Sequence, residues 1–219
     1  MRPLTDHCPK PLLEAGGKPL IVWHLEALAR AGIREVVINH AHLGHLIEQR
    51  LGSGHPWGLS IRYSPETTAL ETAGGIRHAL PWLGANPFLV INGDVFTRFD
   101  FTRAHTISQQ MRSARLQVWC VLVDNPDHHP QGDFSIESGR LLNQGLPRFT
   151  FSGIGVYHPD VFADLPDGQP ARLAPLLRAQ ADAGYAGAER LAGPWVDVGT
   201  PDRLRQLDAE LTHPTARMP

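Results

Sequence analysis

Lysine is almost absent from this chain: Lys10 and Lys18 are the only two among 219 residues, and arginine supplies the other positive side chains. Cysteine is equally scarce, with Cys8 and Cys120 alone. That excludes a disulfide framework and fits a reducing compartment. No apolar run approaches the ~20 residues of a membrane-spanning helix. The first residues also lack the charged, apolar and small-residue succession of a secretory signal, so the expected location is cytoplasmic, with no membrane partner. Net charge is nearly missing as well, at −2, and the basic residues are scattered. Nucleic acid would require a clustered basic face, so no such partner is expected. Internal repeats and low-complexity tracts are absent. What remains is a chain with 42% hydrophobic residues, enough for one substantial core. A single domain over 1–219 is expected, while oligomeric state is not legible.

The periodicity alternates between helix and strand. Leu20, Ile21, Leu25, Leu28 and Ala29 repeat at helical spacing up to Gly32, and the β-branched run Glu35–Asn39 follows. A second helix from Leu43 to Leu51 leads to an alternating strand over Leu59–Tyr63, closed by Ser64-Pro65. A third, from about Thr72 to Leu80, leads to the apolar run Phe88–Ile91. Such alternation predicts an α/β fold with a mostly parallel sheet and helices on both faces. Further on come a helix to about Arg112, a strong strand over Leu116–Val123, and strands near Asp133–Glu137 and Phe149–Tyr157. Helices over Leu173–Ala183 and Pro201–Leu211 follow, the second with Thr200 as N-cap and Pro201 in its first turn.

Several residues carry chemistry. Pro9 and Pro11 flank Lys10 and are expected to hold the backbone extended, presenting a compact, mobile ammonium suited to a triphosphate. A solvated loop has the same composition. Ligands in open α/β sheets gather at the carboxyl ends of strands, and Asn92-Gly93-Asp94 follows Phe88–Ile91 directly. Gly93 would let backbone approach a ligand, and Asp94 is a hard oxygen donor of the kind Mg²⁺ accepts. Asn-Gly is also the strongest short signal for a tight hairpin, although Val95-Phe96-Thr97 makes a poor return strand. Asp197 ends a second short apolar stretch just before the capped helix, and either joins Asp94 at one magnesium ion or is a solvated loop residue. The small residues of Leu70–Gly75 open a helix, where backbone N–H groups can face an anion or a base edge. Glycines there also simply ease packing. His40, His42, His45, His128 and His129 have no accompanying metal pattern and read as surface or loop residues. No nucleophile elbow or activated cysteine is present, which leaves covalent hydrolysis without support.

Taken in order, Pro3-Leu4-Thr5, Pro9–Leu12, Glu71–Gly75, Asn92–Asp94, Phe151–Ile154 and Trp195–Thr200 resemble the motifs of sugar-1-phosphate nucleotidyltransferases over nearly the whole chain. Ile38–Gly44 and Val123–His129 are nearer to members that use N-acetylmuramate 1-phosphate than to those using glucose 1-phosphate or mannose 1-phosphate. The resemblance implies a Rossmann-like nucleotide-diphospho-sugar transferase fold. It further implies transfer of UMP from UTP to the sugar 1-phosphate, releasing pyrophosphate, in cell-wall sugar recycling. By the same likeness Lys10 would hold phosphate oxygens, and Asp94 and Asp197 would carry Mg²⁺. Glu71, Gly74 and Gly75 would lie against the uridine, Asn92 near the nucleoside, and Asp133, Ser152 and Gly153 in the sugar pocket. Family members open with an apolar strand and a glycine-rich turn ahead of the position Met1 occupies. The sequence therefore leads us to expect an upstream translation start and, for the chain as written, a missing central strand with poor activity and stability. A rival reading is a non-catalytic nucleotide-sugar-binding protein.

Overall fold

A computed structural model describes residues 1–213. In chain order the first elements are β1 (Glu14–Ala15), β2 (Lys18–Pro19), α1 (Leu20–Arg30), β3 (Glu35–His40), α2 (Gly44–Leu51) and β4 (Ser60–Pro65). Next come α3 (Glu71–Leu83), β5 (Phe88–Ile91), β6 (Val95–Thr97), α4 (Arg103–Ser113) and β7 (Val118–Val123). Then follow β8 (Phe134–Glu137), β9 (Arg140–Leu142), β10 (Arg148–Tyr157) and α5 (Asp160–Ala163). The last are α6 (Leu173–Asp182), β11 (Ala186–Arg190), β12 (Trp195–Asp197) and α7 (Pro201–Thr212). The chain gathers into two compact units, one of residues 1–69, 92–101 and 193 onward, the other of 70–91 and 102–192.

In the first unit, α1 is amphipathic on two sides. Leu20 packs with Leu13, Phe96, Val198, Leu204 and Leu207, while Ile21, Val22 and Leu25 pack with Ile38, Ile47, Leu51 and Leu59. The second group seals α2 and the parallel β3–β4 pair, which runs in register from Glu35–Ser60 to His40–Pro65. The first group seals α7 against β6 and β12, an antiparallel ladder that pairs Val95 with Asp197 and Thr97 with Trp195.

The second unit is built on β10. Its C-terminal half lies antiparallel between β5 and β7, and its first residues pair with β8. The strand order β5-β10-β7-β11-β9-β8, with β8 returning to β10, closes five of the strands into a ring. Val118, Cys120, Leu122, Tyr157, Phe162, Leu173 and Leu177 fill the core on one face.

The mostly parallel sheet expected from the alternation is corrected here. Among the described pairings only β3–β4 and β7–β11 are parallel, and the sheets are mixed. A buried apolar run reports that both faces of a strand are covered, but not the direction in which the strand runs.

Candidate active site

Asp94 and Asp197 lie on neighbouring chain segments at one end of the β6–β12 ladder in the first unit. Asp197 is the register partner of Val95, and Val198 N donates to Asp94 O at 3.0 Å. The Asn92–Asp94 turn is thus not a hairpin: Val95–Thr97 does form a strand, but it pairs with β12 instead of turning back on β5. Two aspartates about a hundred residues apart in sequence are brought together by three residues of antiparallel pairing.

Each carboxylate is matched by a cation. Lys10 Nζ lies 2.6 Å from Asp94 Oδ2, with both side chains about one-third exposed. Arg203 Nη1 lies 2.7 Å from Asp197 Oδ2. Lys10 is not on extended backbone, as its flanking prolines suggested. Only Pro9 is extended, and Lys10–Leu12 forms a 3₁₀ turn, closed by Leu12 N to Pro9 O at 2.8 Å. A turn secured at both ends still provides a rigid mount. Two glycines make room for these pairs. A Cβ at Gly93 would meet Pro11 Cγ at 3.3 Å, and one at Gly199 would lie 2.5 Å from Arg203 Nη2 and 3.3 Å from Asp197 Oδ1. The other lysine, Lys18, is held by Glu26 and sits 3.6 Å over the Trp23 ring, so Lys10 alone among the lysines reaches the aspartate cluster.

Behind β6, His24 is buried and its Nε2 lies 2.8 Å from Val95 O. Burial pushes its pKa down to about 4, against a smaller opposing pull from the Val95 carbonyl and Asp94. The imidazole is therefore neutral near pH 7, with Nε2–H donating to the strand next to Asp94. Neither His24 nor Arg203 was singled out from sequence. Arg203 had a usable signal, since the Thr200 cap that starts α7 puts residue 203 in its first turn, six positions from Asp197.

The remaining sequence candidates lie in the second unit, except Asn92, whose carbonyl accepts from Val95 N in the Asn92–Asp94 turn. Glu71 begins α3 at φ +58 and is 3.9 Å from Arg172 Nε. The N–H groups of Ala73 and Gly74 both donate to Ala171 O, at 3.0 and 3.1 Å. A Cβ at Gly74 would lie 2.5 Å from Gln169 O, so close approach of the 169–171 segment accounts for this glycine. Gly75 is buried in the same helix. Ser152 and Gly153 form the β-bulge of β10, where pairing with β7 shifts between Phe151 and Ile154. Gly153 supplies the left-handed backbone, at φ +77. Ser152 Oγ donates to Val121 O at 2.7 Å and accepts from Ile154 N at 3.2 Å. Asp133 Oδ2 accepts from Phe151 N at 2.9 Å and Oδ1 lies 3.1 Å from His129 Nε2, tying the β8 entry to the bulge. Among the described residues, no group of three or more His, Cys, Asp or Glu is placed to hold a metal.

A sequence profile described as Nucleotidyl transferase matches residues 1–213. The chain belongs to the nucleotidyl transferase family. It is 50% identical over 214 residues to the N-acetylmuramate alpha-1-phosphate uridylyltransferase of Neisseria meningitidis serogroup B, covering 95% of this chain and 92% of that protein. The protein of the same name from Caulobacter vibrioides is 31% identical, with 96% and 91% covered. In fold, the chain is similar to a putative glucose-1-phosphate thymidylyltransferase from Bacillus anthracis, solved in complex with a sucrose. That match has a TM-score of 0.83 at 20% identity and covers 97% of this chain and 90% of that one. Membership makes the chain a nucleotidyltransferase with the family's α/β fold, and its substrates are of the class a nucleoside triphosphate and a sugar phosphate. No helix among the described residues is long and apolar enough to cross a membrane.

Proposed function

We propose that this nucleotidyltransferase transfers UMP from UTP to N-acetylmuramate 1-phosphate, in the cytoplasm, in the recycling of cell-wall sugars. The observation that carries the reading is the aspartate pair at the β6–β12 end with Lys10 on Asp94, in a chain half identical to a uridylyltransferase acting on that sugar phosphate. A phosphate oxygen of the sugar attacks the α-phosphorus of UTP. The new P–O bond forms as the bond to the β-phosphate oxygen breaks, and pyrophosphate carries away the electron pair. No enzyme group is covalently modified.

The donor set fits a magnesium ion. Mg²⁺ is commonly held by one or two carboxylates, with substrate phosphates and water in its other positions, and Asp94 and Asp197 would be those carboxylates. When bound it neutralises charge on the phosphate oxygens. The protein's own task is alignment and electrostatics. Lys10 exchanges Asp94 for a phosphate oxygen, and Arg203 steadies Asp197. His24 fixes the strand beside Asp94. Glu71, Gly74, Gly75 and Asn92 serve the nucleoside, while Asp133, Ser152 and Gly153 shape the sugar side by fixing the β10 bulge.

A panel of sugar 1-phosphates and nucleoside triphosphates tests the reading. UDP-N-acetylmuramate and pyrophosphate should form in equal amounts with UTP, and chelation of divalent ions should stop both. Preferential synthesis of GDP-mannose or a glucose nucleotide would refute the sugar assignment. Tight UDP-sugar binding with no pyrophosphate released from any pair would favour the non-catalytic alternative.

A further inference from the structure

One cavity of the second unit has in its wall an arginine that no carboxylate pairs. It is an open cleft of about 670 Å³, with Asn125, Pro130, Gly132, Leu146, Pro147 and Arg148 in its wall, a size within the range of small-molecule sites. Arg148 is anchored there by three carbonyls: Nε to Gln131 at 3.3 Å, Nη1 to Asn143 at 2.9 Å and Nη2 to Asp133 at 2.6 Å. Carbonyls orient a guanidinium without cancelling its charge, and its five N–H donors outnumber these three bonds. Arg178 Nη1 lies 3.5 Å from the same Asp133 carbonyl and 3.4 Å from Asn143 Oδ1, outside the cavity wall. The nearby carboxylates keep their charge but bond other groups, not Arg148. Asp133 is held by Phe151 N and His129, and Asp182 accepts from Asn143 Nδ2 at 2.7 Å. Neither arginine forms an ion pair among the described residues.

Much of the rest of the wall is apolar, and it is closely tied together. Pro130 and Pro147 line it, and Leu146 stands at the rim with 88% of its surface exposed. Asn125 Nδ2 donates to Pro130 O and Arg148 O, both at 3.1 Å, and its Oδ1 accepts from Thr150 Oγ1 at 2.9 Å. Gly132 packs so tightly on Asn125 that a Cβ would lie 2.6 Å from Oδ1. A cation held in place before the ligand arrives loses little freedom on binding.

The geometry points to an acid subsite for the acceptor sugar, in which Arg148 receives a carboxylate carried on the ring while Pro130, Leu146 and Pro147 cover the apolar group beside it. The lactyl ether of N-acetylmuramate bears both a carboxylate and a methyl group, so this assignment rests on the uridylyl-transfer reading. It makes Arg148 a specificity-determining residue. N-acetylglucosamine 1-phosphate, which lacks the ether, leaves the guanidinium unpaired.

The test compares kcat/KM for N-acetylmuramate 1-phosphate and N-acetylglucosamine 1-phosphate in the wild type, Arg148→Gln and Leu146→Glu. The second substitution lies on the exposed rim, where it places a competing carboxylate without disturbing the core. The acid-to-neutral ratio should fall about 10- to 100-fold in each, the worth of a charge-assisted hydrogen bond. A ratio that stays near the wild-type value in Leu146→Glu would overturn the subsite even if Arg148→Gln does not fold. A wild type that transfers UMP to neither sugar would count against the reaction, not the cavity. In that event ligand-observed NMR with unphosphorylated N-acetylmuramate and N-acetylglucosamine decides. Contact by the acid sugar alone, lost in Leu146→Glu, supports the subsite, and equal contact by both sugars rejects it.

Discussion

His24 places a titratable group under the strand that carries Asp94, and its depressed pKa has a definite consequence for stability. In the unfolded chain an imidazole takes up its proton near pH 6.5, whereas in the fold it does so only near pH 4. The unfolded state therefore binds more protons between these values, and stability is lost as pH falls from 6.5 toward 4. At pH 5 the loss amounts to about 2 kcal/mol relative to pH 7. Urea unfolding of the wild type and His24→Leu at both pH values measures it. The wild type should lose about 2 kcal/mol more than the variant on acidification, and parallel losses would show that His24 does not titrate as described. Legibility from sequence is uneven at this scale. Asp94 could be picked out because Asn92-Gly93-Asp94 follows an apolar run, Asp197 because it ends a short apolar stretch just before a capped helix, and Lys10 because lysine is so rare. His24 could not, since it sits in an ordinary helical repeat and its role comes only from a carbonyl 71 positions away. Arg148 was equally hidden, because its partners are all backbone carbonyls.

Among the elements, α7 starts where its sequence signals place it. Thr200 Oγ1 accepts from Arg203 N at 3.2 Å, and Pro201 occupies the first turn. Removing that cap in Thr200→Ala should cost about 1 kcal/mol, read as a lower denaturation midpoint at unchanged m-value. An unaltered midpoint would mean that α7 is secured by Leu204 and Leu207 alone. Helices and long strands were largely legible, within the few residues by which such boundaries shift. The element over Arg103–Ser113 and the strand over Val118–Val123 match their apolar patterns closely. The third helix runs three residues past the expected end, because Pro81 is tolerated inside it. Short elements escaped. β11 is Ala186-Gly187-Ala188-Glu189-Arg190, with no β-branched residue. Its glycine is required because a Cβ there would lie 2.5 Å from Trp119 Cε3. β12 has three residues and is defined only by its partner, β6.

At the scale of the whole molecule, the α/β class followed from alternating periodicities, whereas strand direction did not. The long β10, with its Ser152-Gly153 bulge, is what makes the second unit mixed and largely antiparallel, and no periodicity encodes such a return. Motif order carried more information than pattern, since six short segments spread along the chain pointed to the family that the sequence comparison establishes. The first unit holds the aspartate pair and its two cations, and the second holds the bulge. Catalysis requires, above all, that Asp94 and Asp197 act together on the transferring phosphates. The direct measurement is the rate of pyrophosphate release from UTP and N-acetylmuramate 1-phosphate at rising Mg²⁺, for wild type, Asp94→Asn and Asp197→Asn. Each substitution should lower kcat at least about 100-fold, the scale of losing one preorganised electrostatic contact in a transition state, without restoration by excess Mg²⁺. Near-normal turnover by either variant at ordinary Mg²⁺ would contradict the account.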